Sequence, residues 1–151
     1  MSTKVFWLEP TEETRERVVE CKCGKPDCAI NGSIAHEKLY RRSDTGDLMT
    51  LRDAPVGAMW DATWYDDDPA YTGADGITLV VRTPGGSWNV DGEASNCTRK
   101  GDRSHKCWVR HGDPRKPETL HVDKNGNTCS AGAGSILCGN YHGFLHHGEL
   151  T

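Results

Sequence analysis

Cys21, Cys23 and Cys28 lie within eight residues of one another, and His36 follows eight positions after the last of them. Thiolates at this density in a turn-forming segment are either metal ligands or half-cystines. Cys21 and Cys23 are too close to bridge comfortably to each other. Gly24 and Pro26 let the backbone fold back, so that Cys28 can approach the same point from the other side. A tetrahedral zinc ion needs a fourth ligand, for which the candidates are His36 or one of the distant Cys97, Cys107, Cys129 and Cys138. The expected site is Cys21, Cys23, Cys28 and His36 around one structural zinc. With three thiolates already placed, a closed site fits better than a catalytic one, which needs an open coordination position and a general base.

A second dense region runs from residue 97 to 111. Cys97 and Cys107 bracket a polar loop, which is expected to be closed by a disulfide or by a shared metal, with His105 or His111 available to complete a ligand set. Arg99, Lys100, Arg103, Lys106 and Arg110 make this stretch locally basic. It reads as a solvated loop or as a contact for phosphate or nucleic acid, with Trp108 as a stacking face, although a tryptophan in a strand is more often core. His142, His146 and His147 could join Cys138 as ligands, but their irregular spacing also suits surface or interface histidines. Asp66, Asp67 and Asp68 before Pro69 suit an exposed acidic loop. Residues 123–127 form a turn, since no glutamate follows where a calcium loop needs one.

No catalytic set emerges. Gly132-Ala133-Gly134-Ser135 lacks the strand-turn-helix context of a nucleophile elbow and the lysine of a phosphate loop, and no HExxH is present. The expectation is a non-enzyme, with a zinc hydrolase as a minor alternative.

The elements that would position these residues are short. The chain has 151 residues, one domain by length, of which 35% are hydrophobic, with 17 Gly and 7 Pro. Such a composition favours turns and short strands stapled by metal or disulfide. A net charge of −4 gives no general attraction for nucleic acid or anionic membrane. No apolar run reaches spanning length, residues 1–10 lack the features of a signal peptide, and no membrane partner is expected. Seven cysteines made in a reducing cytosol favour metal over disulfide.

Residues 11–20 are ambiguous. Pro10-Thr11 ahead of Glu12 and Glu13 suggests a helix start and Arg17-Val18-Val19 a strand; helix or irregular turn is the expectation. Residues 34–40 read as a short helix. Strands are expected at 48–51, 56–64 and 77–83, the last turning through Pro84-Gly85-Gly86 into 87–90. More follow at 106–110, at 120–123 and 128–129 around Asn125-Gly126, and in segments 135–137 and 141–145. The sum is a mainly β protein: a compact antiparallel β domain, 47–151, and a cysteine-rich zinc-knuckle arm, 1–46, packed together as a single domain.

The cysteine spacing resembles the zinc turn that follows SET methyltransferase domains, over eight residues only, which speaks for the metal and not for that activity. A longer resemblance spans residues 39–150. Leu39-Tyr40-Arg41-Arg42-Ser43-Asp44-Thr45-Gly46, together with segments 51–62, 80–86, 107–112, 122–129, 131–136 and 141–145, resembles a family of small uncharacterised proteins of tailed bacteriophages and prophages. Members of that family often carry a cysteine-rich segment before the Tyr-Arg-Arg motif. The resemblance implies a phage origin and no residue-specific mechanism. The resulting expectation is a non-enzymatic virion component, such as a capsid decoration or accessory structural protein, made in the bacterial host cytoplasm and held to other virion proteins or to itself. The alternative is an intracellular phage accessory protein that binds host protein or nucleic acid through the basic patch. On the virion reading, Trp7, Phe144 and Leu145 are expected to be buried against another chain or a second copy.

Overall fold

The computed structural model describes residues 2–20, 22–25, 28–65, 71–92, 97–99, 106–124 and 135–151. The protein is mainly β, as expected. Its strands are β1 (Thr3–Lys4), β2 (Phe6–Val18), β3 (Ile34–Arg42), β4 (Leu48–Met49), β5 (Ala58–Asp61), β6 (Leu79–Thr83), β7 (Gly86–Asn89), β8 (Val109–His111), β9 (His121–Asp123), β10 (Ile136–Cys138), β11 (Tyr141–Gly143), β12 (Leu145–His146) and β13 (Glu149–Leu150). Among the described residues, two single-turn 3-10 helices occur at Thr63–Tyr65 and Pro117–Thr119. No helix among the described residues is long and apolar enough to cross a membrane. The chain divides into two compact units, one of residues 1–8 with 55–151 and one of residues 9–54.

In the larger unit, the start of β2 runs parallel to β5, with Phe6 opposite Ala58 and Trp7 opposite Met59. Antiparallel β6 follows β5, and β7 follows β6. The β6–β7 hairpin closes where the sequence places its turn. The Thr83 hydroxyl donates to the Gly86 carbonyl at 2.8 Å and accepts from the Gly85 amide at 3.2 Å. A side chain at residue 85 would meet the Cys138 carbonyl at 1.8 Å, so only glycine allows the turn to lie against the end of β10. Among the described residues the unit also contains three further antiparallel pairs: β8 with β9, β10 with β11, and β12 with β13, the last extended by β1.

Its core draws on both ends of the chain. Val5 and Trp7 pack in one cluster with Met59, Leu79 and Val81 and with Leu145 and Leu150. Each such side chain removed from water contributes on the order of 2 kcal/mol. Trp7 is 2% and Leu145 0% exposed, so neither waits for a second chain; of the trio expected at an interface, only Phe144 is exposed, at 39%. The reason is topological. Pairing of β1 with β13, with the Val5 amide bonded to the Gly148 carbonyl at 2.9 Å, brings residues at opposite ends of the sequence into one interior.

The smaller unit contains the rest of β2, with β3 and β4. The Val19 amide bonds to the Ser33 carbonyl and the Gly32 amide to the Val19 carbonyl, both at 2.8 Å, closing a long β2–β3 hairpin around the cysteine loop. Both expected helices, at 11–20 and 34–40, are therefore strands. From Ile34 to Leu39 the residues alternate between exposed and half-buried, a period of two rather than 3.6. The charges that suggested a helix pair across the unit instead. Arg15 reaches Asp53 at 2.6 Å, Arg52 reaches Glu37 at 3.1 Å, and Arg17 also holds Glu37. Cross-strand pairs of this kind outweigh the modest helix propensity of Glu and Arg.

Candidate functional site: a histidine cluster

β8 and β9 form a hairpin in which His111 stands directly opposite His121. Asp123 lies two residues beyond His121 and so faces the same side. Its carboxylate is shared: Oδ1 is 2.9 Å from His111 Nε2, and Oδ2 is 3.1 Å from His121 Nε2.

The second half of the cluster comes from β12 and β13, which are joined by the two-residue turn His147-Gly148. Both turn residues have positive φ, +52° and +80°, the signature of a type I′ hairpin. His147 is the one non-glycine residue with positive φ among the described residues. The turn is pinned beside β9 by the Gly148 amide, which donates to the Leu120 carbonyl at 2.8 Å. That seating delivers two more imidazoles. His146 stacks on His121 with ring centroids 4.4 Å apart and planes 23° apart, and His147 lies 4.7 Å from His121. Phe144 closes over His146 at 5.2 Å.

Burial lowers the pKa of His146, and the neighbouring His121 and His147 lower it further, with Asp123 opposing them in part. His146 is thus held toward the neutral imidazole. His121 directs Nε2 at the Asp123 carboxylate, placing that nitrogen to donate. His121 Nδ1 is buried and has no hydrogen-bond partner among the described residues.

The residues singled out in the sequence fall elsewhere or only partly here. Cys21 lies outside the described residues. Cys23 is exposed and Cys28 half-buried in the loop of the β2–β3 hairpin, and His36 is exposed on β3. Among the described residues, no three metal-ligating side chains form a ready cage. Cys97 and Cys107 are both buried and meet in one cluster capped by Trp108, so the two ends of the expected loop do come together. His105 lies outside the described residues, and His111 is engaged with Asp123 instead of these thiols.

The expected grouping of Cys138 with His142, His146 and His147 is split. His142 bonds to the Ser135 hydroxyl at 2.9 Å and Cys138 reaches the Ser87 carbonyl, while His146 and His147 join His121. The basic patch loses Arg110, whose side chain is 6% exposed and bound to Asp75 at 2.6 Å and Asp91 at 2.9 Å. Lys100 and Arg103 lie outside the described residues. Asp66, Asp67 and Asp68 do too.

The sequence missed His121. Its signal was the alternation His121-Val122-Asp123 in a strand, which places an imidazole and a carboxylate on one face. Pairing with residues 146–147 required the tertiary contact through Leu120. Compared with known proteins, the chain matches no family model, no curated protein and no solved structure.

Proposed function

We propose that the protein is a non-enzymatic component of a tailed-bacteriophage particle, a capsid decoration or accessory structural protein that acts through contact surfaces and is stabilised by zinc in its cysteine-rich arm. One observation carries the contact part of this reading. Trp64, Tyr65 and Tyr71 are 60%, 45% and 38% exposed, yet they touch one another, with ring centroids 6.2 Å and 5.4 Å apart. Three grouped aromatic rings facing water are costly in a protein that works alone, and Trp and Tyr are the residues that most often anchor protein interfaces. The sequence resemblance to phage proteins supplies the setting. The partner is then another virion protein or a second copy of this chain.

Mass spectrometry of purified particles tests the proposal, with the protein expected at stoichiometric abundance. Trp64→Ala and Tyr65→Ala should lower its copy number without unfolding it. Absence from particles that carry all other structural proteins would remove the virion reading. The zinc in the arm, held by Cys21, Cys23, Cys28 and His36, is tested by metal analysis: one zinc per chain is expected, reduced by Cys23→Ser, and its absence from fresh protein would remove that part.

A further inference from the structure

We propose that Trp64, Tyr65 and Tyr71 receive a cationic segment, an arginine-bearing stretch of another protein whose guanidinium groups lie on the ring faces. This rests on the reading of the same three rings as a contact surface and names what they contact. The rings are held ready by backbone. The Tyr65 amide donates to the Ala62 carbonyl at 2.9 Å, and the Ala62 amide to the Thr78 carbonyl at 2.8 Å. On the returning segment, next to Tyr71, the Thr72 hydroxyl donates to the Tyr65 carbonyl at 3.3 Å and lies 2.9 Å from the Thr78 hydroxyl. Thr78 is fully buried, so the backbone under the rings is anchored in the interior while the rings themselves stand in water. A surface ordered in advance gives up little freedom when it binds. Neither ring pair is stacked, the planes being 51° and 43° apart, so the rings do not cover one another's faces.

Two observations select a cation. Other aromatic residues of this chain already carry one: Lys38 lies over Tyr40, Arg82 over Trp60, Arg115 over Trp7 and Lys124 over Trp108, at 5.2 to 5.9 Å from the ring centres. Among the described residues no such cation lies over Trp64, Tyr65 or Tyr71, although tryptophan offers the best face for one. The second observation is charge. Residues 54–81, which carry all three rings, contain five aspartates and no lysine or arginine. Asp75 is held by Arg110. Asp66, Asp67 and Asp68 are bonded on directly from Tyr65 and so lie within about 11 Å of it whatever their course, close to the screening length in about 0.1 M salt. An arginine gains from both the ring quadrupoles and this negative field, and its flat, weakly hydrated guanidinium suits a ring face better than an ammonium does. Two copies of the chain meeting through this patch would instead bring like charges together, so the occupant is a different protein.

The test uses the full chain and, as probe, a short glycine-serine peptide carrying three arginines. In proton–nitrogen NMR spectra the Trp64 indole signal should shift saturably while that of buried Trp7 stays fixed. Affinities are read from the Tyr65 and Tyr71 amide signals, so that all variants compare. Peptides of equal length carrying three leucines or three glutamates should bind at least about fivefold more weakly. Raising salt from about 50 to about 300 mM should weaken the arginine peptide at least about twofold. Trp64→Ala should weaken it about two- to fivefold, and Trp64→Phe, which keeps a ring face, should recover part of that. The combined Asp66→Asn, Asp67→Asn and Asp68→Asn variant should lose most of the salt dependence. A fixed Trp64 signal, a leucine peptide that binds as tightly as the arginine one, Trp64→Ala binding like the parent, or self-association through the same rings would each overturn the proposal. A silent arginine peptide alongside a lowered particle copy number for Trp64→Ala would remove the cation and keep the contact surface. Arginine binding by a protein absent from particles would keep the cation site and remove the virion reading.

Discussion

One guanidinium, that of Arg110, holds two carboxylates from distant parts of the chain. Its Nη1 and Nη2 reach the two oxygens of Asp75 at 2.6 Å and 3.0 Å, and Nη2 also reaches Asp91 at 2.9 Å. Burial pushes the Asp91 carboxyl up, and Arg110 pulls only part of that back. Burial pushes Asp75 up as well, but the Arg110 hydrogen bonds and the Ile77 amide outweigh it and leave Asp75 below the usual carboxylate range. Removing the guanidinium leaves Asp91, 5% exposed, without its counter-charge. Arg110→Ala is expected to cost roughly 3–5 kcal/mol in denaturant unfolding, and Arg110→Lys to recover only part, because an ammonium cannot grip Asp75 with two parallel bonds. A sequence shows this arginine's charge but not that it is neutralised by residues 35 and 19 positions away, which is why it read as part of a basic surface. His146 gives a second residue-scale expectation. Its folded pKa is lowered, so between that value and the unfolded value of about 6.5 the unfolded chain binds more protons. Its contribution is complete above about 6.5 and declines as pH falls toward the folded pKa. The neighbouring charges that set this slope are His121, His147 and Asp123, with Glu149 paired opposite on β13. Melting temperatures should therefore drop between pH 7.5 and 5.5, and His146→Gln should flatten that drop.

At the scale of elements, what was legible followed locality. The β6–β7 hairpin could be read because its turn residues and β-branched strand lie side by side, and His121 fell within the strand expected at 120–123, with His111 one residue past the strand expected at 106–110. The β2–β3 hairpin could not, since its strands are Glu- and Arg-rich and become strands by pairing with each other and with Asp53 rather than by propensity. The β12–β13 turn was missed for a related reason: its sequence, His147-Gly148, is half of an Asn-Gly signal, and its role comes from docking onto Leu120. That docking makes Gly148 the sharpest element-scale test. A side chain there would face a φ of +80° and the Pro117 carbonyl at 2.5 Å. Gly148→Ala should cost upwards of about 1–2 kcal/mol by chemical denaturation from the backbone term alone. His147→Asn, which suits the same turn, should be close to neutral.

For the whole molecule, the governing fact is that β1 pairs with β13, Thr3 opposite Leu150 and Lys4 opposite Glu149. Deleting residues 144–151 would strip Leu145 and Leu150 from the core and uncover Val5 and Trp7, so the truncated chain should lose cooperative unfolding and near-ultraviolet circular dichroism from its buried tryptophans. A merely lowered midpoint with the signal intact would argue against this. The same pairing sets a timetable. A ribosome adding roughly 5–20 residues per second needs on the order of ten seconds or more to reach Leu150, and for all of that time the first strand has no partner. Closing the core then joins segments separated by nearly the whole chain, the slow, non-local kind of contact that delays folding. Until then Val5 and Trp7 lack the Leu145 and Leu150 side of their packing, and the larger unit is completed only once the last strand has been made.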